Sequence, residues 1–266
     1  MRPLLAPVLA VAALSAAPLA AQTADQARLV FSVGIGQSSG GGELWSIGRQ
    51  PFLVSPSRTD TLSLRRSFRR SLNVVLSGTY FPGNHLGYNV EAQMLGLATE
   101  DDCSKAGGGM PAPPVALLCN TINRHDGSGS AVALSGGLIY RFAPQQPLHP
   151  YIRANVGFLV SQESFIKVGG PLGDSLPVAS DAVIYADRNS SSIRPTVSFG
   201  GGLVAVIGRG YQFRFELRDN WVQVPKILGA TSIQGVRPAT DLVGKHILTA
   251  TLGFDVVLER KRGRRY

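Results

Sequence analysis

The chain has 266 residues, 44% of them hydrophobic and only 16% charged, with 31 glycines and a formal charge of +9. That hydrophobic content excludes a disordered chain, and the charged fraction is well under the roughly 25% of ordinary soluble domains, too little to cover a cytosolic enzyme. The basic balance suggests nucleic acid at first, but Arg260, Lys261, Arg262, Arg264 and Arg265 crowd the C-terminal end, so much of the charge belongs to a tail.

Met1 and Arg2 open a stretch, 3–20, that is almost wholly apolar or small, and Ala20, Ala21 and polar Gln22 follow. This is the layout of a secretory signal peptide over 1–21, cut after Ala21. Past residue 21 there is no run of about 18 apolar residues, so no spanning helix is expected. Cys103 and Cys119 form an even pair in an exported chain, which predicts a disulfide closing one Gly/Pro-rich loop.

No amphipathic helix is expected after the signal; strict alternation recurs instead, the pattern of half-buried strands. In chain order the apolar faces are Leu29 to Ile35, Leu72 to Tyr80, Leu86 to Met94, Val132 to Phe142, Ile152 to Val160, Val197 to Ile207, Tyr211 to Leu217 and Leu248 to Leu258. The opposite faces carry Gly, Ser, Thr, Asn and Ala with a few charges. Connections alternate: short near 81–84, 143–148 and 208–210, long near 39–64, 99–127, 167–192 and 224–245. Residues 43–54 could add a strand, but Pro51 and Pro56 make them a poor ladder member.

A bilayer leaves backbone groups no water to pair with, so only helices and closed barrels span it. Eight alternating runs predict an all-β chain: an eight-stranded antiparallel up-and-down transmembrane β-barrel with long extracellular loops and short periplasmic turns. Tyr80, Phe81, Tyr88, Phe142, Tyr151, Tyr211 and Phe213 fall beside the short turns, as an interfacial girdle would.

With these runs the chain resembles the eight-stranded bacterial outer-membrane barrels, the OmpA-like and OmpX-like class. The resemblance is architectural and covers 28–260. It implies a bacterial outer-membrane location, a short periplasmic segment at 22–27 and a basic periplasmic tail at 261–266. The final strand resembles the signal read by the barrel-assembly machinery, through Thr251, Gly253, Val256 and Leu258, with Leu258 standing where an aromatic is usual. The resemblance implies that machinery and outer-membrane lipid as partners; nucleic acid is not expected for an exported chain, and a monomer is.

Glu91, Arg141, Arg153, Arg214, Glu216, Arg218 and Asp255 all fall on polar faces. An eight-stranded barrel has room inside only for side chains. Buried charges must then pair, which predicts a salt-bridged plug. Arg65, Arg66, Arg69 and Arg70 precede the second run at its extracellular end and could meet lipopolysaccharide phosphates. Of the four histidines, His85 and His149 lie beside short turns, His246 opens the last run, and His125 sits near Asp126 and Ser128 in a loop. A His-x-x-Ser run resembles part of a hydrolase set, but Gly127 and Gly129 read as a turn. Gly34-Ile-Gly36 lacks the Lys-Ser/Thr of a phosphate loop. No cofactor, metal or catalytic residue is expected. The function expected is non-enzymatic: envelope structure or surface interaction through the loops. A small porin-like channel and an outer-membrane lipid-modifying enzyme are the alternatives.

Overall fold

Eight strands close on themselves, each antiparallel to the next, and the last returns to the first. The computed structural model describes residues 28–40, 42–55, 57–107, 111, 113–124, 129–161, 166–171, 181–187, 192–232, 235 and 237–259. Segments 1–21 and 22–27, the run 125–128 and the tail 261–266 lie outside these.

In chain order the strands are β1 (Arg28–Ser39), β2 (Glu43–Ser55), β3 (Arg58–Phe68), β4 (Ser71–Phe81), β5 (Leu86–Gly96) and β6 (Thr99–Lys105). Helix α1 (Pro113–Arg124) follows. Then come β7 (Ser130–Arg141), β8 (Leu148–Ser161), β9 (Lys167–Pro171), β10 (Asp181–Ala186), β11 (Ser192–Gly208), β12 (Tyr211–Ile227) and β13 (Thr240–Glu259). The barrel order is β1-β13-β12-β11-β8-β7-β5-β4. Short turns join β4 to β5, β7 to β8 and β11 to β12 at one end. The last is a two-residue turn in which Gly210 takes φ +86°, a conformation glycine adopts at no steric cost.

Alternation sets which side chains face out. Phe31, Val33, Leu76, Val90, Leu134, Val156, Phe199, Phe215 and Leu252 are all exposed on the outer wall. Along β13 the outward apolar run from Leu248 to Leu258 spans roughly 25 Å once strand rise and barrel tilt are applied, the height of a bilayer-spanning apolar band. A continuous apolar belt of this extent is foreign to a water-exposed surface.

One open reading is settled and three expectations are corrected. Residues 43–54 do form a strand, but not in the barrel: β2 pairs with β3 in a separate sheet of order β2-β3-β6 and is bulged at three points. Bulges and separation from the wall accommodate Pro51, which a continuous ladder would not. A helix exists after the signal: α1 starts on Pro113 and Pro114, which suit a first turn. It buries Val115, Leu118, Cys119 and Ile122, three and four residues apart. Phe81 and Tyr151 leave the proposed girdle, because each sits one residue out of phase with its outward neighbours and is buried inside. The inner face is not polar throughout either. Toward the long-connection end Leu95, Ala131, Ala133, Leu159, Val222, Val224 and Ile247 point inward and join one apolar core with Trp45, Phe52, Leu62, Leu64 and Leu118. The small sheet, the β9-β10 pair and α1 therefore form a cap that shares its core with the barrel mouth.

Candidate functional site

The site to be explained is the barrel interior and the cap that closes it. Alternation on β5, β8, β12 and β13 aims Glu91, Arg153, Arg214, Glu216, Arg218 and Asp255 at the barrel axis, and all six are buried. Arg218 bridges Glu91 and Glu216 with short ion pairs. Arg153 Nη1 lies 2.5 Å from the second Glu91 oxygen, and its Nη2 lies 3.6 Å from Glu216. Arg214 Nε sits between Glu216 at 3.9 Å and Asp255 at 3.7 Å. The Tyr151 hydroxyl donates to Glu216. Tyr151 belongs to this network and not to the girdle expected beside the short turn; its parity with Arg153 is the sequence signal of an inward side chain.

Arg141 stands apart. Its guanidinium lies 3.5 Å over the Phe81 ring, a cation–π contact. Phe81, Val30, Ile139, Tyr151 and Val204 form an apolar layer at the short-turn end. His149 is buried beside the β7-β8 turn, and His85 stacks on Tyr140 outside.

Above the ionic layer lies a neutral polar one. Asn73 donates to the Thr251 hydroxyl at 3.0 Å and accepts from Gln93 at 2.8 Å. Asn220 donates to Thr249 at 3.2 Å. Thr251 and Gly253 thus face inward, with Gly253 under the Arg214 head group, whereas Leu258 faces out and Val256 is half-buried. From the short turns to the cap, the interior runs apolar, ionic, neutral polar and apolar. Its inward side chains are buried in every layer, so side chains fill the lumen.

The cap is held by different means. Cys103 of β6 and Cys119 of α1 form a disulfide. Asn123 clamps the Cys103 backbone on both sides, accepting from its N–H at 2.6 Å and donating to its carbonyl at 3.1 Å. Tyr185 of β10 donates to Gln50 of β2, and Gln50 accepts the Thr231 N–H at 3.0 Å. Burial pushes the Tyr185 hydroxyl up to about 12, so it stays a donor.

The four arginines preceding β4 do not act as one patch. Arg66 is buried, 2.5 Å from Asp101, and its guanidinium lies 5.4 Å from the Trp45 ring. Arg66 is therefore removed from the set that could meet lipid phosphate: its position on β3 points it into the cap core. Arg65 is exposed and pairs with Glu43 at 3.2 Å, with Asp102 opposite on β6. Arg69 and Arg70 are exposed at the barrel rim. His246 Nδ1 lies 2.8 Å from Asp219 Oδ2 on the outer wall. Among the described residues no group of three His, Cys, Asp or Glu side chains is placed to hold a metal.

The class these features define is the closed eight-stranded antiparallel up-and-down β-barrel. Within it, the chain is similar to Neisserial surface protein A, with 11% identity, 88% of this chain and 99% of that chain covered, and a TM-score of 0.39. It is similar to the outer membrane protein AlkL, with 12% identity, coverage of 94% and 98%, and a TM-score of 0.46. It is also similar to the outer membrane protein OprG from Pseudomonas aeruginosa, with 9% identity, coverage of 89% and 98%, and a TM-score of 0.42. No protein-family model and no curated protein matches the chain.

Proposed function

We propose that the protein is a non-enzymatic outer-membrane barrel whose work is done by its cap: it anchors a rigid surface module for envelope structure or surface interaction. The short turns face the periplasm and the cap faces outward. The observation that carries this is the filled lumen. An interior packed with paired Arg and carboxylate groups between two apolar layers supports a plug over a pore. The effort invested in the cap, a disulfide and a buried core, supports a role there.

Arg69 and Arg70, just beyond the apolar band, are the residues to meet lipopolysaccharide phosphates. The barrel-assembly machinery would read Thr251, Gly253, Val256 and Leu258, and the inserted protein would act as a monomer. Membrane fractionation followed by planar-bilayer recording tests the reading. The expected result is an outer-membrane protein with heat-modifiable gel migration and no stable conductance. A steady unitary conductance would replace the plug with a channel. Lipid turnover lost on His125→Asn or Ser128→Ala would make the protein an enzyme.

A further inference from the structure

The outer wall is not evenly filled. Across the adjacent strands β13, β1, β4, β5 and β7 it holds a hollow of about 590 Å³. Its floor is Gly78 and Ala92, and its walls are Phe31, Val90, Leu134 and Phe254. A side chain at position 78 would have space: a Cβ there comes no nearer than 3.8 Å to Val90 and 3.9 Å to Phe31. Five strands at their usual spacing make the hollow roughly 19 Å long. Strand tilt sets it obliquely across the apolar band.

A second feature adjoins it. One step toward the short turns, Tyr80 and Tyr88 face each other across β4 and β5, and Tyr140 stands next to them with His85 stacked on its ring at 5.7 Å. All three tyrosines are 40–56% exposed. Tyrosines at this height sit at head-group level, ring in the apolar region and hydroxyl at the polar boundary.

We infer that this groove is a specific phospholipid site: one acyl chain lies over Gly78 and Ala92, and the head group meets the Tyr80, Tyr88 and Tyr140 hydroxyls. The inference rests on the membrane-embedded reading above. The groove is continuous with the face that hydrocarbon covers, and leaving it empty forfeits dispersion contacts along both walls. A flexible chain follows a curved hollow to its floor. A second barrel is convex and could not reach Gly78, nor would it need a tyrosine cluster at the groove's lower edge.

The test uses the full chain inserted into vesicles of phosphatidylethanolamine and phosphatidylglycerol, then released in mild detergent for native mass spectrometry. The wild type should retain one phospholipid. Gly78→Phe should cut that retention about tenfold, the weight of roughly two methylenes of apolar contact. Leu203→Phe, exposed on β11 across the barrel from β4, should retain lipid like the wild type. Gel migration with and without heating shows that each variant is folded. Equal retention in Gly78→Phe and the wild type overturns the site. So does spontaneous disulfide dimerisation of Gly78→Cys in vesicles, which would put a second copy there. A wild-type chain that never enters vesicles overturns the membrane reading itself, and the site with it.

Discussion

The middle of the barrel and the cap bury opposite kinds of side chain. The barrel buries Arg153, Arg214 and Arg218 against Glu91, Glu216 and Asp255. The cap buries Trp45, Phe52, Leu62, Leu64 and Leu118 around a single buried ion pair among its described residues, Arg66 with Asp101. The difference follows from what lies outside each. In the proposed membrane setting the barrel wall is covered by hydrocarbon, and its backbone is satisfied by closure. Its interior needs only to be full and neutralised. The cap stands in water and must exclude it with its own core, aided by a covalent link.

The largest effect should come from removing one side of a buried pair. Arg218→Ala removes the cation closest to both Glu91 and Glu216, leaving Arg153 as the one they share, and should cost about 3–5 kcal/mol. Urea unfolding of the vesicle-inserted protein measures it, and a loss below about 1 kcal/mol would show that the network is solvated. Arg66→Ala should cost as much, but only in the cap, read as protease cleavage there with the barrel intact.

Next is the disulfide. Cys103→Ser with Cys119→Ser opens a link across a sequence separation of 16 and should cost about 3 kcal/mol. The loss should be confined to the cap, because the link joins β6 to α1 and neither is a barrel strand. Heat-modifiable migration should survive. If it disappears, cap and barrel fold as one unit, a real alternative given that they share apolar contacts at the barrel mouth.

Asn73→Ala should have a smaller effect, about 1–2 kcal/mol, by removing the acceptor of the Gln93 Nε2 donor and the donor to the Thr251 hydroxyl in the neutral polar layer. It also tests whether the two roles proposed for Thr251 are separable. If insertion rate is unchanged while stability falls, the inward hydrogen bond and the assembly signal are independent properties of that residue.

The barrel was legible because its physics is periodic. One phase of alternation locates Glu91, Arg153, Glu216 and Arg218 together inside. The same parity places Tyr151 and Phe81 inside, although both stand beside short turns among the outward girdle aromatics. The cap was less legible for a physical reason. Its strands are bulged and its helix is short, so no long period accumulates, and Pro51 argued against β2 only as a barrel strand. The disulfide is legible because two cysteines allow only one pairing. The apolar upper lumen is less distinct: Ala131 and Ala133 fall on the inward face of their run, but two small residues there do not announce an apolar layer until the cap is placed over them.

The smallest effect belongs to the neighbour of the largest in the cap. Arg65 adjoins Arg66 in sequence but faces the opposite side of β3. It is 56% exposed, and its partner Glu43, 3.2 Å away, is 45% exposed. Solvent screens such a pair, so Arg65→Ala should change cap stability by only about 0–1 kcal/mol, against several for Arg66→Ala. Limited proteolysis of the two variants side by side gives the comparison. A large loss for Arg65→Ala would mean that the outer face of the small sheet is covered in the native protein, and the contrast between exposed and buried arginines on one strand would fail.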